Sequence, residues 1–203
     1  MSEQRDDPAT AAAKRALRVT IRQRRAARSA TARAAGDAAR TDRLLAAVGS
    51  TTPATVAAYL SSGSEPDSTE LIDRLSAAGA EVLLPASAGG TWAEPAWARW
   101  EGPDRLREGP LGILEPEGAA LPGAALARAG LVLCPGLAGT PRGERLGRGG
   151  GWYDRVLPWA TGRLLLLLND DEVIASLPTG PLDRRVDAIV TPSRLLVCDP
   201  GPS

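Results

Sequence analysis

The apolar positions of this chain fall into short, nearly unbroken runs, at residues 55–60, 81–84, 131–134, 163–168 and 188–191. Runs of this length with little alternation predict strands buried on both faces of a sheet. Between them lie stretches of helical composition. Residues 11–35 are mostly Ala and Arg, both strong helix formers, with Leu17, Ile21 and Ala32 as apolar markers. A second helix is expected over residues 37–48, stopped by Gly49. A third should start with Asp67 as N-cap and Glu70 at capping-box spacing, and end at Gly79. A segment opening at Trp152 can be helical up to Pro158. Residues 1–10 are polar and read as a disordered tail, with a single domain over 11–203. Pro85 is expected to close the second strand. Residues 86–122, rich in Gly, Pro and Trp, predict irregular structure or a small antiparallel excursion.

Alternation of strand and helix predicts an α/β fold. Its expected form is three-layered, a mostly parallel twisted sheet covered by helices on both faces, like a Rossmann open sheet. Ligands of such sheets sit beyond the carboxyl ends of the strands. Three segments are expected there: residues 61–65, 136–151 and 179–183.

Composition narrows the chemistry mainly by what is missing. The 203 residues contain no histidine, which excludes Ser-His-Asp and Cys-His catalysis and any His-ligated metal. Cys134 and Cys198 are far apart and form no Cys-x-x-Cys motif. They read as small hydrophobes in a reducing compartment. A bound metal would then be a hard cation on carboxylates, magnesium by default. Basic and acidic residues balance at 24 each, so no global field draws the chain to nucleic acid. No apolar run approaches the ~18 residues that span a bilayer, and the charged N-terminus lacks the apolar core of a signal peptide. The expectation is a cytoplasmic monomer without nucleic-acid or membrane partners.

The densest chemistry follows the run at 131–134. A Gly/Pro-rich loop leads to Arg145, Leu146, Gly147, Arg148, Gly149, Gly150, Gly151, Trp152, Tyr153 and Asp154. Glycine lets backbone N–H groups approach an anion, two guanidiniums match phosphate oxygens, and a helix start adds partial positive charge. Asp154 is placed to hold magnesium. The block therefore reads as a nucleotide-phosphate cradle. It is not a Walker A loop, which needs a lysine after its last glycine, because the only lysine is Lys14. It also fails the dinucleotide fingerprint, whose third glycine position holds Trp152.

The block from Arg145 to Arg155 resembles the signature of the 5-formyltetrahydrofolate cyclo-ligase (methenyltetrahydrofolate synthetase) family, Arg-Leu-Gly-x-Gly-x-Gly-Tyr-Tyr-Asp. Weaker matches follow in order: Lys14-Arg15-Ala16-Leu17-Arg18, the run from Val56 to Glu65, Gly112-Ile113-Leu114-Glu115-Pro116, and Asp183 to Pro192. Together they cover roughly residues 14–197. The resemblance implies an ATP- and Mg2+-dependent ligase of one-carbon metabolism that closes 5-formyltetrahydrofolate to 5,10-methenyltetrahydrofolate. It implies Lys14 and Arg145 as catalytic cations. Lys14, Arg18, Arg145, Leu146, Gly147, Arg148, Gly149, Gly150, Gly151, Trp152 and Tyr153 are implied around ATP. Leu60, Glu65, Gly149, Gly150, Gly151 and Trp152 are implied around the reduced folate, and Asp154 and Asp183 on magnesium. The chain departs from the family pattern at Gly139-Thr140, Trp152, Leu182 and Pro192, and the first two are expected beside the substrate pocket. These departures keep open a paralogue acting on another formamide, and the fold class keeps open a non-catalytic nucleotide-binding module.

Overall fold

A computed structural model describes residues 6–49, 52–88, 91–180 and 183–199. In chain order its regular elements are α1 (Pro8–Ala26), α2 (Ala30–Val48), β1 (Thr55–Ala57), α3 (Thr69–Ala77), β2 (Glu81–Ala88), β3 (Thr91–Arg99), β4 (Leu106–Glu108), β5 (Leu114–Pro116), β6 (Leu121–Pro122), β7 (Leu131–Cys134), β8 (Ala138–Gly139), β9 (Arg145–Leu146), α4 (Trp152–Val156), β10 (Arg163–Leu167), β11 (Ala188–Val190) and β12 (Leu195–Val197). Short 3-10 turns, among them Gly123–Arg128 and Asp170–Glu172, join them. None of the described helices is long and apolar enough to cross a membrane.

Eight strands form one sheet in the order β12-β11-β10-β7-β1-β2-β3-β6. Its five central strands are parallel, with Val56 opposite both Val82 and Leu131, and Leu165 opposite both Leu133 and Ala188. The outer strands β12, β3 and β6 are antiparallel. The expected α/β architecture is therefore present. Unbroken apolar runs fit because both faces are covered: Leu131, Leu133, Leu165 and Leu167 pack with Leu44 of α2 and Leu71, Ile72 and Leu75 of α3. Their neighbours Val132, Cys134, Leu164 and Leu166 face the other way, onto Trp97, Leu126, Val156 and Leu157. The β8–β9 hairpin lies across part of this second face, so closely that a Cβ on Gly139 would come within 2.8 Å of Leu166 and 2.9 Å of Ile189. Outside the hairpin, α1 packs Ile21 on Leu137, Ala138 and Leu146.

The boundaries depart from expectation where local chemistry outweighs composition. The tail expected over 1–10 is helical from Pro8: Asp7 Oδ1 accepts the N–H groups of Ala9 and Thr10 at 2.9 and 3.1 Å. Residues 1–5 lie outside the described residues. The first helix ends at Ala26 rather than Ala35, because Ser29 caps α2 through the N–H of Ala32, and Gly36 stays inside α2. Ser68, not Asp67, is the N-cap residue of α3, although Asp67 Oδ1 still accepts the Thr69 N–H at 3.1 Å. Gly49 stops α2 as expected. Strand β2 continues past Pro85 to Ala88; its parallel pairing with β1 ends at Leu83, so the missing N–H of Pro85 removes no bond on that side. Residues 86–122 carry the antiparallel excursion, built from β3, the β4–β5 pair and β6.

The chain steps from β1 to β2 on one side and later returns to β7 on the other. The strand order thus reverses between β1 and β7, the place where open α/β sheets form a ligand crevice.

Candidate active site

Two loops leave the sheet at this reversal. Residues 58–68 follow β1, and residues 135–151, including the β8–β9 hairpin and the glycine block, follow β7. Gly149 and Gly151 adopt φ of +106° and +66°, a left-handed backbone that glycine takes without cost. A Cβ on Gly150 would meet nothing within 4 Å, so that stretch is open to approach. The following α4 has five residues. So short a helix carries little macrodipole, and the cradle's positive charge comes from its side chains rather than, as expected, the helix start.

Arg145 is 7% exposed and points its Nη2 at Asp154 Oδ1, 2.6 Å away, while Nη1 donates to the Pro135 carbonyl at 3.3 Å. Its guanidinium carbon stands 5.8 Å from the centre of the Tyr153 ring. Trp152 packs edge-on against both Trp97 and Tyr153, with ring centroids 5.0 Å apart in each pair. Three buried polar atoms in this block have no partner: Arg145 Nε, Trp152 Nε1 and Tyr153 Oη. Buried donors are nearly always satisfied, so this cluster leaves three polar groups able to meet a bound ligand, ion or water. The Tyr153 ring is only partly covered, but its hydroxyl is buried. That burial, reinforced by Cys134 and Tyr59, keeps the phenol neutral by raising it well above its ordinary 10.0.

Helix α1 runs along the glycine block and presents one cation per turn. Arg18 Nε donates to the Gly147 carbonyl at 2.9 Å, and Arg22 Nη2 to that of Arg148 at 3.0 Å. Lys14, one turn before Arg18, is 5% exposed, with Nζ 2.7 Å from Asp183 Oδ2 and 2.8 Å from Asp6 Oδ2. Burial works to lower its pKa, but the hydrogen bonds and charges of Asp183 and Asp6 outweigh this and hold it above 10.5. Asp183 Oδ2 also accepts the N–H of Gly180 at 2.8 Å.

From the loop after β1, Glu65 Oε2 accepts the N–H of Ser62 at 3.0 Å and meets Arg148 Nη1 at 3.2 Å. Leu60, half-buried, packs on the α2/α3 core. The structure thus joins Lys14 to Asp183, Arg145 to Asp154, Arg18 to Gly147, and Glu65 to Arg148. Asp154 and Asp183 do not form a ready metal cluster: among the described residues no three acids or cysteines stand together as ligands. Magnesium bound through one or two carboxylates, with substrate phosphates completing its shell, fits this donor set.

The profile of the 5-formyltetrahydrofolate cyclo-ligase family matches residues 10–192. The chain belongs to this family. Among curated members, the 5-formyltetrahydrofolate cyclo-ligase of Mycolicibacterium smegmatis is 38% identical over 148 residues, covering 70% of this chain and 76% of its own. That of Escherichia coli K12 is 31% identical over 144 residues, covering 70% and 79%. The solved 5,10-methenyltetrahydrofolate synthetase of Aquifex aeolicus superposes with a TM-score of 0.79 at 28% identity, over 94% of this chain and 95% of that one. The synthetase from Mycoplasma pneumoniae shares the fold, with a TM-score of 0.69 at 21% identity, over 88% and 98%.

Within this cyclo-ligase-family chain, one expected departure moves away from the pocket. Thr140 is fully buried in the hairpin turn, with Oγ1 2.8 Å from Glu144 Oε2, and Gly139 is flattened against the sheet. Gly139-Thr140 therefore serves packing and does not line the substrate space. Trp152 remains the departure inside the site, and Leu182 lies outside the described residues. Glu115 of the Gly-Ile-x-Glu-Pro match is 1% exposed and binds the Ser87 N–H and hydroxyl at 2.6 and 2.8 Å, which ties β5 to β2. Residues that sequence reasoning missed include Asp6 and the buried Arg25–Glu172 pair. Arg25 Nε and Nη2 each lie 2.8 Å from a Glu172 oxygen, and Nη2 is 2.7 Å from the Gly136 carbonyl at the start of the loop after β7. A stripe of one arginine per turn along α1, matched to an isolated acid cluster at 170–172, was the available signal.

Proposed function

We propose that this family member closes 5-formyltetrahydrofolate to 5,10-methenyltetrahydrofolate, consuming ATP and releasing ADP and phosphate. The observation carrying this reading is that Arg18 of α1 and Arg145 of β9 both reach the open glycine block, where buried donors lack partners, with Lys14 one helical turn before Arg18.

A formamide carbonyl is a poor electrophile because its nitrogen lone pair is delocalised into it. Moving the γ-phosphoryl group onto the formyl oxygen makes that oxygen a leaving group. N10 of the folate then attacks the carbon and loses its proton, and phosphate departs with the former formyl oxygen. Such chemistry needs positioning and charge stabilisation more than a protein nucleophile, which suits a chain without histidine. Lys14, Arg18 and Arg145 would neutralise the transferring phosphoryl group, and Gly149, Gly150 and Gly151 leave room for it. Asp154 and Asp183 would hold magnesium, which offsets phosphate charge when bound. Glu65 and Leu60 would receive the pterin end, with the carboxylate accepting from ring N–H groups. Both cysteines are free, in keeping with a reducing cytoplasm, and we place the enzyme there as a monomer.

The test is ADP release with and without 5-formyltetrahydrofolate, read beside the near-ultraviolet absorbance of the methenyl product. Folate-dependent ADP release with matching absorbance is expected; ADP formation indifferent to the folate would sink the reading. Because Trp152 replaces the smaller tyrosine in the site, other formamides form a second arm of the assay.

A further inference from the structure

Lys14 is held by two carboxylates, and only one of them belongs to the metal reading. Asp183 does; Asp6 precedes the family match, which begins at residue 10. Yet Asp6 is seated closely. Its Oδ2 lies 2.8 Å from Lys14 Nζ, and a Cβ on Gly180 would come 1.7 Å from its Oδ1, so the carboxylate fills the space that this glycine leaves. The same masking recurs at a second of the cations assigned to phosphate, where Asp154 stands 2.6 Å from Arg145. An ammonium has three donors, and two of those on Lys14 point at carboxylate oxygens where a bound nucleotide would offer phosphate oxygens.

Resting on the nucleotide reading above, we propose that ATP enters by ion-pair exchange, with Asp6 an internal competitor that occupies Lys14 in place of a phosphate oxygen. Nucleotide arriving without metal displaces Asp6 and Asp183 from Lys14, and Asp154 from Arg145, and leaves three carboxylates beside its own charge. Magnesium arriving alone draws Asp183 from Lys14 and Asp154 from Arg145, leaving Lys14 with Asp6 alone and Arg145 with a neutral acceptor. When both arrive, Asp183 and Asp154 turn to the metal, the cations turn to the phosphates, and only Asp6 is left to withdraw. Each ligand thus lowers what the other must overcome, a coupling that is reciprocal by thermodynamic necessity.

Calorimetric titration of ATP in excess EDTA and in excess magnesium tests this on the parent, Asp6→Asn and Asp183→Asn. Asp6→Asn keeps the shape and removes the competing charge, so it should tighten ATP binding in both conditions by about tenfold, ~1.4 kcal/mol. Asp183→Asn should tighten metal-free ATP and shrink the gain that magnesium gives. A gain of affinity cannot come from a damaged fold. If the parent binds Mg–ATP but Asp6→Asn leaves ATP affinity unchanged or weaker, the competitor role is refuted while the proposed function stands. Failure of Asp183→Asn to tighten metal-free ATP refutes the exchange. A parent that binds neither form of ATP overturns the nucleotide reading itself, and this inference with it.

Discussion

Arg148 of the glycine block and Glu65 of the loop after β1 face each other at 3.2 Å, across the reversal between β1 and β7. The pair is lopsided. The arginine side chain is 52% exposed and the glutamate 8%, so screening leaves the bridge little net energy. Arg148→Ala should therefore change unfolding free energy by no more than about 1 kcal/mol. Glu65→Gln should raise KM for the formyl substrate and leave ATP affinity near the parent value. Substrate-saturation kinetics beside nucleotide calorimetry separate the two. Equal losses in both affinities would remove Glu65 from the folate side.

The glycines give a contrast between space and strain. Gly150 has no neighbour within 4 Å of a built Cβ, and its backbone is ordinary, so Gly150→Val should fold with stability within about 0.5 kcal/mol of the parent. ATP binding should still fall more than tenfold, because the branched side chain fills the space that the proposed phosphate cradle leaves open. Gly143 is the opposite case: its φ is +82° and a Cβ would sit 2.3 Å from the Val186 carbonyl oxygen. Gly143→Ala should lower the melting temperature. Parental ATP binding by Gly150→Val would make the loop a structural turn.

How far the sequence could be read follows from how local each cause is. The runs that became β1, β7, β10 and β11 were legible because burial on both faces demands unbroken apolar residues. The β2–β3 hairpin was hidden by Pro85, whose effect depends on which neighbour needs its N–H, and that is a property of the sheet. The break between α1 and α2 turned on the Ser29 cap, within a composition that favours helix on both sides. In the site, the glycine block could be read as a motif. The pairing of Lys14 with Asp183 could not, because it is made by α1 folding back over the far end of the chain.

Asp154→Asn tests the metal assignment and its structural cost together. The carboxylate is the ion-pair partner of a 7% exposed arginine, and removing its charge leaves Arg145 with only neutral acceptors. Stability should drop by about 1–3 kcal/mol, less than a complete loss of fold. Turnover should fall at least tenfold and no longer respond to added magnesium. Full activity in this variant, or in the parent with EDTA, would discard the metal role.

Lys14→Arg keeps the charge and changes the shape. Lys14 is nearly enclosed, with carboxylates at 2.7 and 2.8 Å, and a planar guanidinium is wider than that gap. Steady-state assays should show kcat reduced about tenfold for Lys14→Arg and more for Lys14→Ala. Parental rates in both would place α1 outside the reaction.

Glu172 is a buried carboxylate whose protonation should weaken the fold in acid. It is 1% exposed and accepts from Arg25 twice, from Arg28, and from the N–H and side-chain amide of Asn169. Burial alone would raise its pKa, but the Arg25 hydrogen bonds and charge, with those from Asn169, outweigh it and hold the carboxyl below 4.5. A carboxyl depressed in the folded state stabilises the protein fully above its unfolded value, and this contribution is lost as pH falls through the folded one. Urea titrations from pH 7 to pH 3 should therefore show stability declining below about pH 4.5. Glu172→Gln should flatten that decline while costing about 3–5 kcal/mol at pH 7, because Arg25 is left charged and buried without its partner. The same loss should loosen α1 from the Gly136 carbonyl and, if the loop after β7 holds the nucleotide as proposed, raise KM for ATP. An unchanged pH profile in Glu172→Gln would assign the acid limit to other carboxylates.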